Sequence, residues 1–150
     1  MKAVIQRVSK ASVTISSKKV AAIKTGFLIL LGIVAEDSQE DIDYLVRKIT
    51  NLRIFNDESG VMNYSLLEVN GDVIVVSQFT LHALTKKGNR PSYIKAAKPE
   101  LAIPLYENFV LSLEKELNKK IQTGQFGADM QVALVNNGPV TIIIDSKNKA

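Results

Sequence analysis

From Gly26 to Val34 the chain runs Phe27-Leu28-Ile29-Leu30-Leu31-Gly32-Ile33 without one polar side chain. An alternating strand can leave one face in water, but a continuous apolar strand cannot. The run is short, bracketed by glycine and partly β-branched, so it reads as a strand buried on both faces. The rest of the chain must therefore cover it twice. Even extended to Ala35 the run falls far short of the roughly 20 residues that span a bilayer. The first residues, Met1-Lys2-Ala3-Val4-Ile5-Gln6-Arg7, turn polar too early for a signal peptide. A soluble, cytoplasmic protein with no membrane partner is the expectation.

The cover comes from segments with other periods. Val4–Val8 and Ser12–Ile15 read as two strands, and Ser16-Ser17-Lys18-Lys19 as a polar turn before a further strand, Val20–Ile23. At Ser38 the period changes. Ser38 with acids at Glu40 and Asp41 resembles a capping box, and Ile42, Leu45, Val46, Ile49 and Leu52 follow at helical spacing, predicting a helix over 39–53. Asn70-Gly71-Asp72 is a turn that launches a second apolar strand, Val73–Phe79. Residues 82–98 read as a long loop. A second helix begins at Pro99 or Pro104 and ends at Asn118, its stripe being Leu101, Leu105, Phe109, Leu113 and Leu117 with Tyr106 and Val110 beside it. An interior proline loses a hydrogen bond, so a bend or a later start is expected at Pro104. Met130–Val135, Asn136–Pro139 and Val140–Ile144 read as strand, turn, strand. The predicted fold class is α/β: one domain over residues 1–150, with two main helices packed on a mixed, curved, barrel-like sheet.

Composition narrows the chemistry. The 150 residues are 46% hydrophobic and 23% charged, which excludes global disorder. With no cysteine there is no disulfide, no thiolate nucleophile and no cysteine-ligated metal, and one histidine, His82, cannot build a multi-histidine site. No metal and no cofactor are expected. A Ser-His-Asp triad would have to pass through His82, which has no orienting acid nearby in sequence and reads as an exposed loop residue. The net charge of +4 leans mildly toward polyanionic partners.

Four segments stand out from ordinary packing. Ser77-Gln78-Phe79-Thr80-Leu81 closes the second apolar strand with hydroxyls, an amide and free backbone N–H groups, where ligands tend to gather; equally, a polar strand end can satisfy its own backbone. Asn136-Asn137-Gly138-Pro139 is strong hairpin-turn chemistry, but its proline would interrupt a ladder, and a cis Gly-Pro bond would make a rigid wall suited to reading chirality. The segment 86–98 carries Lys86, Lys87, Arg90, Lys95 and Lys98 with no acid, and Tyr93 offers a stacking ring; it is either a phosphate-binding loop or a solvated face. In 123–130, two glycines allow close approach, and Phe126 and Met130 could sandwich a planar ring or simply join the core.

Taken together the motifs resemble the bacterial-type D-aminoacyl-tRNA deacylases over essentially the whole chain. The resemblance rests on Ala3–Val8 and Ala11-Ser12-Val13, Arg53-Ile54-Phe55 with Met62-Asn63, Ser77–Leu81, Arg90-Pro91-Ser92, Gln122–Val132, and Asn136-Asn137-Gly138-Pro139-Val140-Thr141. It implies a homodimer with two cross-subunit active sites acting on D-aminoacyl-tRNA. Ser77, Gln78, Phe79 and Thr80 would line the catalytic pocket, with Phe126, Gly127 and Met130 near the terminal adenosine. Gly138 and Pro139, joined by a cis bond, would reach into the partner's pocket and reject L-amino acids. Arg7 would anchor that turn by hydrogen-bonding its carbonyls.

The expected chemistry is ester hydrolysis by water, with backbone N–H groups around Phe79 and Thr80 polarising the carbonyl and the substrate's ribose 2′-hydroxyl assisting. Thr80 as a covalent nucleophile is the rival mechanism, and it lacks an evident base. A non-catalytic single-stranded nucleic-acid binder and a small-molecule esterase are the competing functions. A glycyl ester, with no side chain to exclude, is expected to be accepted.

Overall fold

A computed structural model describes residues 1–150. Strand β1 (Lys2–Ile15) is the spine of the sheet. A two-residue turn at Ser16 and Ser17, both at positive φ, returns the chain along β1 as β2 (Lys18–Ile23) and then β3 (Gly26–Gly32). Both pair antiparallel with the same edge of β1, β2 beside its second half and β3 beside its first. Helix α1 (Gln39–Asn51) follows, its start fixed by Ser38 N–H donating to Asp41 at 2.8 Å. A short hairpin, β4 (Phe55–Asn56) and β5 (Met62–Tyr64), and the single-turn α2 (Leu66–Val69) lead to β6 (Asp72–Ser77), which pairs parallel with β3. A 3₁₀ turn (Phe79–His82), helix α3 (Pro99–Leu117), β7 (Gln122–Thr123) parallel to β6, and β8 (Gln131–Asp145) complete the chain. Near the far edge the sheet almost closes, where Ala22 N–H in β2 donates to the Gln122 side chain in β7 at 2.7 Å. The result is a mixed α/β fold with a curved, nearly closed sheet and helices packed on it. No helix is long and apolar enough to cross a membrane.

The doubly buried strand accounts for this arrangement. Phe27, Ile29 and Leu31 face a core shared with α1 and α3, where they meet Ile42, Leu45, Ile49, Tyr106, Phe109 and Leu113. Leu28 faces the opposite way, into the curve of the sheet, with Val8, Val13, Ile23, Ile74 and Val76. Neighbouring β6 alternates in the same manner, Val73 and Val75 toward the helices and Ile74 and Val76 into the curve. Each fully buried aliphatic side chain contributes about 1.5–3 kcal/mol, so this strand pair anchors both cores.

Several expectations are corrected. Val4–Val8 and Ser12–Ile15 belong to one strand: Ser9 and Lys10 are exposed, but β8 pairs along β1 past both of them. Residues 131–145 are likewise a single strand along β1 and no hairpin. The ladder passes from Gln6↔Thr141 to Val8↔Asn136, so residues 137–140 bulge out of it. A proline is tolerated there because β8 pairs only with β1 and the bulge needs no N–H at that point. Helix α1 ends at Asn51, two residues early. Helix α3 starts at Pro99 and continues through Pro104, which faces solvent. Its buried stripe runs through Ala102, Tyr106, Phe109, Leu113 and Leu117, leaving Leu101 44% exposed.

Gly26 is the first rung of the β3–β6 pair, opposite Asp72. A β-carbon there would lie 1.8 Å from the Asp72 carbonyl oxygen, which is backbone and cannot swing away. Gly26→Ala is expected to lower the unfolding free energy by about 1–3 kcal/mol, as overpacking does; urea denaturation of the two proteins checks it.

Candidate active site

At their carboxyl ends β3 and β6 lie side by side, with Leu31 opposite Ser77. The chain is pinned as it leaves the sheet: Gln78 N–H donates to the Leu31 carbonyl at 2.8 Å. The 3₁₀ turn begins at once. Its first two N–H groups, Phe79 and Thr80, donate to no backbone carbonyl, because a turn's first donors have no partner within it. Lys2 Nζ donates to the Leu81 carbonyl at 3.3 Å and fastens the far side of the turn.

A cavity of about 270 Å³ opens beside this turn. Ser77, Gln78 and Phe79 line it from one side, and Phe126, Gly127 and Met130 from another. These two groups are about 50 residues apart in the chain, and the fold brings them together. None of the residues lining the cavity has an ionisable side chain. Thr80 is not among them; its hydroxyl accepts a hydrogen bond from Gln78 Nε2 at 2.6 Å.

Two aromatic pairs shape the rim. Phe79 is 54% exposed and meets Tyr93 edge to face, centroids 5.0 Å apart. Phe126 rests edge to face on Tyr106 at 5.9 Å, and Tyr106 is fixed in turn by donating to the Val75 carbonyl at 2.8 Å. Burial pushes the Tyr106 phenol up to about 12, so it stays a neutral donor. Phe126 and Met130 are half-buried, between the core and the ring-binding roles left open by the sequence.

Gly138 and Pro139 do not share this cavity. They are exposed on the bulge of β8 and joined by a cis bond. Arg7 lies opposite the bulge and is only 5% exposed. Its Nε donates to the Asn137 carbonyl at 2.8 Å, and its Nη1 to the Ile54 carbonyl and to Asn56 Oδ1, the latter at 3.2 Å. The turn is thus held through the carbonyl before Gly138. Arg7 itself is absent from the cavity lining.

The five loop cations, Lys86, Lys87, Arg90, Lys95 and Lys98, are all exposed. The loop is tied back by reciprocal backbone hydrogen bonds between Leu84 and Ser92, at 2.8 and 3.0 Å. His82 is a correction. It closes the 3₁₀ turn half-buried, not exposed, with Nε2 enclosed and unpartnered, because its ring is packed against Gly32. The sequence reading missed Ile54, Asn56 and Tyr106 as supports. The Arg53-Ile54-Phe55 motif was visible, but nothing local pointed it toward Arg7.

Comparison with known proteins decides the family. The D-Tyr-tRNA(Tyr) deacylase family model matches residues 4–145. The chain belongs to this family. It is 70% identical to a D-aminoacyl-tRNA deacylase of Flavobacterium psychrophilum over 149 residues, 99% of each chain. It is 64% identical to one of Bacteroides fragilis over 149 residues, again 99% of each. Among solved structures it is similar to a c-Myc DNA unwinding element binding protein, with TM-score 0.89 and 45% identity over 97% of this chain and 98% of that one. A probable eukaryotic D-amino acid tRNA deacylase shares the fold, with TM-score 0.83 at 15% identity over 95% of this chain and 97% of that one.

Gly138 sits at φ +135°, a backbone conformation side chains disfavour. A β-carbon there would stand 2.8 Å from Val140 Cγ2 and 3.0 Å from Arg7 Nη2. Gly138→Ala is expected to cost about 1–3 kcal/mol from the backbone alone, read as a lowered melting temperature.

Proposed function

We propose that the hydrolysis of D-aminoacyl-tRNA esters, the activity of the family, runs here on positioning and not on a protein base or nucleophile. The observation that carries this reading is the cavity lining, which has hydroxyl, amide and backbone donors beside it but no ionisable side chain. The ester carbonyl would accept hydrogen bonds from the Phe79 and Thr80 N–H groups, which stabilise charge that develops on the oxygen as water attacks. The ribose 2′-hydroxyl next to the ester would orient that water. Phe126, Gly127 and Met130 would hold the terminal adenosine. The Thr80 hydroxyl has an amide donating to it and no base beside it, an unfavourable state for a nucleophile.

Selection of the D-ester would be a matter of exclusion. The Gly138-Pro139 segment of a second copy would cover the cavity, and a side chain on the L face of the α-carbon would collide with it. Support for a second copy comes from the exposure of that segment and from the free outer edge of β8, which carries exposed Val135 and Ile143. Each tenfold of discrimination needs only about 1.4 kcal/mol, which a rigid clash supplies several times over. Lys86, Lys87, Arg90, Lys95 and Lys98 would meet the tRNA phosphates.

A second reading, a non-catalytic nucleic-acid binder, is favoured by the basic loop and by the likeness to a protein described as binding a DNA unwinding element. Turnover separates the two. Incubated in parallel with D-tyrosyl-, L-tyrosyl- and glycyl-tRNA, the protein is expected to cleave the D and glycyl esters and spare the L ester by about 100-fold or more, a barrier difference near 2.7 kcal/mol. Thr80→Ala is expected to keep hydrolysis within a few-fold. An intact D-ester would leave the binder; a spared glycyl ester would overturn exclusion; a trapped acyl-enzyme would overturn positioning.

The loop has its own test. Lys86→Ala with Lys87→Ala is expected to raise KM for tRNA-linked esters with kcat unchanged. The log–log salt dependence of binding should flatten by about 0.7–0.9 for each phosphate that the variant no longer neutralises.

A further inference from the structure

The Arg7 guanidinium is a buried cation whose three hydrogen-bond acceptors are all neutral amide oxygens. One of them, Asn137 O, belongs to the β8 bulge. The other two belong to the segment that enters and begins the β4–β5 hairpin: the Ile54 carbonyl and Asn56 Oδ1. Arg7 is therefore a rod with one end fixed by that hairpin and the other touching the chain next to Gly138. Its own strand sets where the rod begins, but its far end is aimed by what Nη1 finds. With Nη2 only 3.0 Å from where a Gly138 β-carbon would stand, a rotation of the guanidinium moves directly against the bulge.

The hairpin is itself stiffened from outside. Arg53 Nε donates to the Asn63 carbonyl at 2.7 Å, and the Arg53 guanidinium also meets the Asn63 side chain, tying the two arms. Asp57 accepts from Ser59 N–H at 2.9 Å, Val61 N–H at 3.0 Å and Asn63 Nδ2 at 3.2 Å, closing the turn; these hydrogen bonds, the Val61 one first, hold its carboxyl below the usual range. Asn56 is exposed, yet its side chain is spent on Arg7. The Asn56 amide shares Nη1 with the Ile54 carbonyl through a part-buried bond of 3.2 Å, so Nη1 keeps an acceptor without it. The amide is a good aiming device.

We infer that Asn56 is a specificity-positioning residue: through Arg7 it sets the position of the Gly138-Pro139 segment, and with it the discrimination between D and L esters. The inference rests on the exclusion reading of that segment. Asn56 touches no substrate in this scheme. Its removal leaves the cavity, the Phe79 and Thr80 donors and both cores as they are, so the D-ester rate is preserved and only the spacing of the wall is loosened.

The test is hydrolysis of D- and L-tyrosyl-tRNA by the full-length wild type, Asn56→Ala and Asn56→Asp. In Asn56→Ala the L-ester is expected to be cleaved about tenfold faster or more relative to the D-ester, equal to about 1.4 kcal/mol. The D-ester kcat should stay within a few-fold. Asn56→Asp keeps an oxygen acceptor for Arg7 and is expected to restore the ratio; a merely structural role would instead move the D and L rates together. An unchanged D-to-L ratio in Asn56→Ala, with the wild type discriminating, overturns this inference and leaves exclusion standing. Parallel loss of both rates also overturns it. A wild type that cleaves both esters alike overturns exclusion, and this inference with it.

Discussion

A positive charge buried without a negative one has to be held by dipoles, and every dipole it uses becomes fixed in place. Arg7 stands in that position. The β1–β8 ladder opens beside it, from Gln6↔Thr141 to Val8↔Asn136, and its guanidinium bridges the gap to Asn137. A buried charged donor left unpaired costs more than a neutral one, so the carbonyls that receive it are under constraint from both sides. Three separate stretches meet at this single side chain: the spine strand, the bulge of the edge strand and the start of the β4–β5 hairpin. The hairpin reaches the core mainly through Phe55, which stacks on Phe27 at 5.1 Å. Arg7 and Phe27 are also register partners in β1 and β3. One rung of the sheet thus supplies the apolar and the polar anchor of the hairpin together.

The second constraint is the paired burial of β3 and β6. Because both alternate between two cores, neither can slip by one residue without exchanging all its inward and outward side chains. Their carboxyl ends are therefore fixed relative to each other, and the pin from Gln78 to Leu31 passes that fixity to the 3₁₀ turn. Catalysis by positioning needs such a platform. Donors that are to meet a developing oxyanion must be in place before the reaction, not brought there by it.

Legibility in the sequence followed the range of the interactions. The doubly buried strand, the Ser38–Asp41 cap of α1 and the polar end of β6 rest on neighbours within a few residues, and they were readable. Errors arose where distant pairing outweighed local chemistry. Asn137-Gly138 has the composition of a hairpin turn, but pairing with β1 on both sides of it makes a bulge in one strand. Ser9 and Lys10 look like the end of a strand, yet a partner strand carries β1 past them. In α3 the apolar residues permit two adjacent phases, and Pro104 at the solvent face selects the one through Tyr106. The partners of Arg7 lie 47, 49 and 130 residues away in the chain, and no periodicity reports that. The resemblance to a family named Arg7 as an anchor; only the folded chain shows what anchors Arg7.

Within one chain the bulge residues do not line the cavity, and this separation suits the proposed division of labour. Recognition of the ester and the adenosine is assigned to the strand ends and to Phe126, all tied into the central core. Rejection is assigned to an exposed segment on the edge strand, tied to that core through Arg7 and the neighbouring Val140. A wall built in this way can be adjusted without disturbing the catalytic donors, because the two share no side chain. Under the exclusion reading a second copy has to bring the wall to the cavity, so discrimination would be lost on dissociation while each lone chain kept its N–H donors. The same logic explains why a glycyl ester would escape rejection. Such a wall would act on a side chain, and an α-carbon bearing two hydrogens presents none on either face.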